Sequence, residues 1–167
     1  MINKILFFIL LIFVTELSLG QNSQSIAVSV GRYNVLHDNE FTTSEWRVEL
    51  RSAKQNNVLN PFGGVMFNSD GASLVYWGFL HDFYITNHII FTPSFAPGFY
   101  SQGNSKDLSL ALEFRSQLEL TYLFNNESRL GISFNHVSNG GLRLPNLGVE
   151  SFALTYILPL SKLLNSI

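Results

Sequence analysis

From Leu110 to Phe124 the chain alternates. Leu110, Leu112, Phe114, Leu118, Leu120, Tyr122 and Phe124 fall on one face with only Ser116 interrupting, and Glu113, Arg115, Gln117, Glu119 and Thr121 fall on the other. Successive side chains of a strand point to opposite faces, so this is an amphipathic strand; a period of 3.6 would scatter the same apolar residues around a helix. Trp46, Val48 and Leu50 alternate in the same way with Glu45, Arg47, Glu49 and Arg51. Further strands are predicted over Ser25–Asn34, Phe62–Phe67, Leu74–Tyr84, His88–Phe95, Arg129–Ser138 and Val149–Leu160, which makes eight. An even number of strands suits a closed antiparallel up-and-down barrel.

The connections differ on the two sides. Thr86-Asn87 and Asn125-Asn126-Glu127-Ser128 are short turns, whereas Pro97–Lys106 and Asn139–Gly148 are longer polar stretches; the turn around Ser52–Asn60 is not short. Short turns on one side and long loops on the other are the habit of outer-membrane barrels, whose tilted strands need about 9–11 residues to cross. Alternation alone leaves two barrels open, because a soluble lipocalin-like barrel would keep its apolar face inside and its charged face in water. Composition separates them. Only 13% of residues are charged, against about 25% in ordinary globular proteins, while 14% are aromatic, including 15 Phe. Something other than water must cover part of this surface, which favours an all-β, eight-stranded transmembrane barrel. Arg47, Glu49, Arg51, Glu113, Arg115 and Glu119 then fill a narrow lumen in which opposite charges can pair.

Lys4 followed by the apolar run Ile5–Val14 and the small residues Ser18-Leu19-Gly20 reads as a secretory signal peptide over residues 1–20. The run is too short to cross a bilayer as a helix, and residues 21–167 form the expected barrel domain. A net charge of −2 with no basic cluster argues against nucleic acid. The absence of cysteine removes disulfides and thiolate metal sites. His37, His81 and His88 lack ligand spacing, so no metal or cofactor is expected, and aromatic-girdle or turn roles suit them better. Asn126-Glu127-Ser128 reads as a tight turn.

The chemistry concentrates in His136-Val-Ser138-Asn139-Gly140-Gly141-Leu-Arg143-Leu-Pro-Asn146-Leu-Gly148-Val-Glu150. On the Arg129–Ser138 strand, His136 and Ser138 share a face with Leu130, Ile132 and Phe134; Glu150 shares the face of Phe152, Leu154 and Tyr156 on the next strand. Residues two apart on a strand are about 6.6 Å apart, so an imidazole can lean toward the next hydroxyl on its face, and a carboxylate opposite can reach the other ring nitrogen. That is the nucleophile, base and orienter arrangement of serine hydrolases. Asn139, Gly140, Gly141 and Asn146 offer donors for an oxyanion. The bland alternative is that these polar residues merely mark the headgroup boundary. Arg143 could meet an anionic headgroup or simply be solvated.

His136, Ser138, Asn139 and Gly141 form a His-x-Ser-Asn-x-Gly core, with Asn146, Gly148 and Glu150 at matching spacing and Ser29-Val30-Gly31-Arg32 as a looser match near the start. In these residues the chain resembles the outer-membrane lipid A 3-O-deacylases, the PagL family. The resemblance implies an eight-stranded barrel in the bacterial outer membrane, with Ser138 as nucleophile, His136 as base and Glu150 as orienter. Asn139, Gly141 and Asn146 would contribute to the oxyanion hole, and lipid A or lipopolysaccharide would be the substrate, with no cofactor; a homodimer is an open alternative. The chain departs from the usual barrel pattern by ending in Ser161–Ile167 rather than on an aromatic residue. A non-enzymatic barrel for adhesion or structure, and a soluble ligand-binding barrel, are the competing functions.

Overall fold

A computed structural model describes residues 24–36, 39–52 and 58–164. The expected signal peptide and His37 lie outside the described residues. Eight long antiparallel strands follow one another: β1 (Gln24–Tyr33), β2 (Thr43–Ser52), β3 (Asn60–Asn68), β4 (Ser73–Leu80), β5 (Ile89–Ser101), β6 (Leu112–Leu123), β7 (Arg129–Ser138) and β8 (Gly148–Pro159). Each pairs with its neighbour in sequence, and β8 pairs back onto β1, so the sheet closes into a barrel without edges. A short helix, α1 (Leu160–Leu164), follows β8.

The strand bounds shift by a residue or two in several places, and two larger differences each involve a proline. The expected Leu74–Tyr84 strand is interrupted after Leu80 and resumes only as the two-residue strand Phe83–Tyr84. The register of Leu80 with Ser94 and Phe83 with Phe91 sets His81 against Pro93. His81 N donates to Pro93 O at 3.1 Å, but proline has no N–H to return. Similarly, β5 runs on to Ser101, taking in Pro97–Ser101 from the expected outer loop. Pro97 faces Trp77, where the β4–β5 ladder is open between Tyr76↔Gly98 and Phe79↔Phe95, so its missing donor leaves no broken pair.

The alternation resolves as a barrel with a charged inside. Glu45, Arg47, Glu49, Arg51, Glu113, Arg115 and Glu119 are all buried, while Val48, Leu50, Val75, Trp77, Phe95, Leu118, Leu120 and Leu154 are exposed on the outer wall. Eight strands enclose a space just wide enough for side chains to fill. Here it is filled by ion pairs: Arg51 meets Glu49 at 2.6 Å and Glu119 at 2.7 Å, Arg47 meets Glu45 at 2.9 Å, and Arg115 meets Glu49 at 3.1 Å. Tyr76 Oη donates to Glu49 at 2.7 Å and its ring lies under the Arg115 guanidinium. Gln117 and Ser133 take further Arg47 donors. The lumen is a plug rather than a pore.

One end of the barrel carries the tight turns, including Asn125–Ser128, where Ser128 N donates to Asn126 Oδ1 at 3.1 Å. There His88 stacks on Tyr122 and its Nδ1 lies 3.1 Å from Leu123 O. The other end carries residues 34–36, 39–42, 102–111 and 139–147. Only the connection 69–72 on that side is short, closed by Asn68 Oδ1 accepting from Asp70 N and Ala72 N.

Candidate active site

β7 ends and β8 begins at the long-loop end, and their register does the positioning: His136 stands opposite Glu150, and Ser138 opposite Gly148. Because His136 and Ser138 are two residues apart on one strand, both project outward, and Glu150 projects from the same face beside them. The side chains meet. Ser138 Oγ lies 2.9 Å from His136 Nε2, and His136 Nδ1 lies 2.8 Å from Glu150 Oε1. With the ring proton on Nδ1 donated to the carboxylate, Nε2 is left to accept the Ser138 hydroxyl. The base in the middle of the row is its most exposed member: the His136 side chain is 43% exposed and that of Glu150 13%, while Ser138 is 7% exposed.

Gly148 shapes this row by having no side chain. A Cβ built there would lie 2.6 Å from His136 Cε1 and 3.4 Å from Nε2. The imidazole therefore lies over Gly148 in the space that any larger residue's side chain would fill.

The loop beyond Ser138 is organised by Asn139, which is fully buried. Its Oδ1 accepts from Gly141 N at 2.9 Å, its Nδ2 donates to Leu108 O at 3.3 Å, and its carbonyl accepts from Leu142 N at 3.2 Å. Gly140 and Gly141 follow with φ of 65° and 82°, left-handed values that favour glycine. The Gly141 N–H and the Asn139 amide, both expected as oxyanion donors, are thus engaged in forming the loop, while Asn146 lies exposed near its end. Arg143 is exposed, and its Nη1 donates to Ser109 O at 3.2 Å. Among the described residues, no group of three or more His, Cys, Asp or Glu is placed to hold a metal ion.

Three neighbours were not singled out from the sequence. Ser116, on β6, stands opposite His136, and Phe114 stands opposite Ser138. Ser116 is the one polar break in the apolar face of β6, and that break was its signal: a polar residue on a lipid wall wants a polar neighbour. Phe114 carries no signal of its own; a Cβ on Gly140 would lie 3.2 Å from its ring. The third is Lys106, whose Nζ donates to Gly148 O at 2.8 Å and to Asn34 Oδ1 at 3.2 Å.

Comparison with known proteins points one way. The profile of the family described as "Lipid A 3-O-deacylase (PagL)" matches residues 31–159. "Lipid A deacylase PagL" of Pseudomonas aeruginosa is 34% identical over 55 residues, covering 33% of this chain and 32% of the relative. The protein of the same name from Bordetella bronchiseptica is 33% identical over 51 residues, covering 30% and 29%. The chain thus spans about a third of the length of these curated relatives, at 32% and 29%. Among solved structures, "Crystal structure of the outer membrane enzyme PagL" superposes with a TM-score of 0.64 at 19% identity, over 81% of this chain and 99% of that one. Neisserial surface protein A superposes with a TM-score of 0.53 at 12% identity, over 81% and 96%. At these identities the superpositions speak to the fold alone, a small outer-membrane barrel.

Proposed function

The chain belongs to the lipid A 3-O-deacylase (PagL) family, and from that premise we propose that it is a serine esterase hydrolysing the ester-linked acyl chain at the 3-position of lipid A. The protein is a barrel of the bacterial outer membrane. The observation that carries the proposal is the hydrogen-bonded row Ser138, His136 and Glu150 on the outward wall, where it interrupts an otherwise apolar face. Lipid reaches this row from the side, because the lumen is packed with ion pairs and the site does not open into it.

Ser138 Oγ attacks the ester carbonyl carbon as His136 Nε2 takes its proton. The tetrahedral intermediate collapses, the bond from carbonyl carbon to the 3-oxygen of the sugar breaks, and His136 returns the proton to that leaving oxygen. Water, deprotonated by His136, then frees the hydroxy fatty acid from Ser138. Glu150 accepts from the His136 ring, fixing its tautomer and stabilising the imidazolium. Asn139, Gly141 and Asn146 are assigned to the oxyanion side of the site. The weak 3.3 Å bond from Asn139 Nδ2 to Leu108 O is the one most readily exchanged for a charged acceptor, whereas Gly141 acts by holding Asn139.

The test is release of the 3-linked hydroxy fatty acid from purified lipopolysaccharide in detergent. Wild-type protein releases it, and Ser138→Ala, refolded to the same heat-modifiable band, does not. A folded Ser138→Ala protein with full activity would refute the assignment and leave the non-enzymatic barrel as the better reading.

A further inference from the structure

We propose that Lys106, in the loop joining β5 to β6, is a positioning residue for the His136 imidazole. The inference rests on the esterase reading above for its consequence on rate, but its structural content stands separately.

The site row is built on the first residues of β8, and strand ends fray unless something holds them. Two bonds from outside the β7–β8 hairpin do so here. Val35 N, just past β1, donates to Glu150 O at 2.9 Å. Lys106 Nζ donates to Gly148 O at 2.8 Å and to Asn34 Oδ1 at 3.2 Å, so one ammonium ties the start of β8 to the exit of β1. Lys106 is itself placed from below: its carbonyl accepts from Tyr100 Oη at 2.8 Å, and that hydroxyl lies 2.9 Å from Tyr33 Oη in the barrel mouth. Its neighbours are locked as well, with Ser105 accepting from Asn68 Nδ2 and Leu108 fully buried.

Gly148 is more than a strand end. Its backbone is the surface on which the imidazole rests, close enough that a single added carbon would stand 2.6 Å from Cε1. A Gly148 carbonyl released from Lys106 lets that surface recede, and the ring gains room to turn its Nε2 away from Ser138 Oγ. Lys106 holds that carbonyl with its ammonium. It acts through Gly148, and a charge-assisted bond at 2.8 Å is a strong way to hold a carbonyl.

The same loop braces the oxyanion side, since Leu108 O accepts from Asn139 Nδ2 and Ser109 Oγ donates to Pro145 O at 3.2 Å. Lys106 is the member of that loop that bonds Gly148. Methionine keeps its length and apolar stem while removing the donors, and arginine restores a cationic donor.

The experiment compares wild type, Lys106→Met and Lys106→Arg as refolded full chains, by kinetics of 3-linked acid release and by the imidazole signals of His136 in NMR. A displacement near 1 Å costs an enzyme about 100-fold, so the expected result is a kcat for Lys106→Met lowered about 10- to 100-fold with KM within about twofold. Lys106→Arg recovers most of that loss. The His136 signals broaden or shift in Lys106→Met and not in Lys106→Arg, an outcome readable even if no lipid is hydrolysed. An inactive wild type would therefore sink the esterase reading without touching this inference. Unchanged His136 signals in a folded Lys106→Met protein, or wild-type kcat in an assay where wild type is active, would overturn it.

Discussion

Replacing Gly148 by alanine should slow hydrolysis about 100-fold while leaving the barrel intact. The added Cβ would stand 2.6 Å from His136 Cε1, where ordinary contact begins at 3.4 Å, so the ring has to retreat by about 1 Å. A free side chain could do this cheaply. This one is held at both nitrogens, to Glu150 at 2.8 Å and to Ser138 at 2.9 Å, and any retreat lengthens the bond through which the proton leaves Ser138. A misplacement of that size is worth about 100-fold in rate, or about 2.7 kcal/mol in the activation barrier. The assay is the initial rate of 3-linked acid release, with heat-modifiable mobility on the same samples to certify folding. Gly31→Ala is the contrasting control: its Cβ would stand 2.2 Å from the backbone oxygen of Phe152, so that variant should fail to fold rather than fold without activity. A Gly148→Ala protein with wild-type rate would refute the idea that the Gly148 backbone sets the imidazole.

Other outcomes follow from the same geometry. Arg51→Met leaves the buried Glu49 and Glu119 without a shared cation and should destabilise the barrel by about 3–5 kcal/mol in urea unfolding from lipid vesicles. Leu120→Arg places a charge on the lipid-facing wall of β6, where Leu120 is exposed, and should cost about 2–4 kcal/mol in the same measurement. Ser138→Ala and His136→Ala should each abolish activity by several orders of magnitude, with the double variant little worse than either because the pair acts as a unit; Glu150→Ala should retain more.

The strands were legible because each carries its charges on one face and its Leu, Phe and Val on the other, and a lipid-wrapped barrel needs that period. The polar row of His136, Ser138 and Glu150 was legible for a related reason: it breaks an apolar face, as Ser116 also does. What could not be read were the partners across space. Nothing local to Lys106 or Asn34 says that they meet at Gly148, since that depends on how β1, β8 and the loop after β5 converge at the rim. Asn139 illustrates the same limit: its residue type suggests an oxyanion donor, while its bonds to Gly141 and Leu108 come from packing the sequence does not display. The break after Leu80 was hidden for another reason, because its cause, Pro93, sits on the partner strand.

The central claim is that the outward row hydrolyses the 3-linked ester of lipid A in the membrane that holds the protein. Mass spectrometry of lipid A from cells producing wild-type protein, Ser138→Ala protein or neither tests it most directly. The account predicts that lipid A from the wild-type culture alone loses the mass of one 3-linked hydroxyacyl chain. Identical lipid A in all three cultures despite folded protein in the outer membrane, or the same loss with Ser138→Ala, would contradict it.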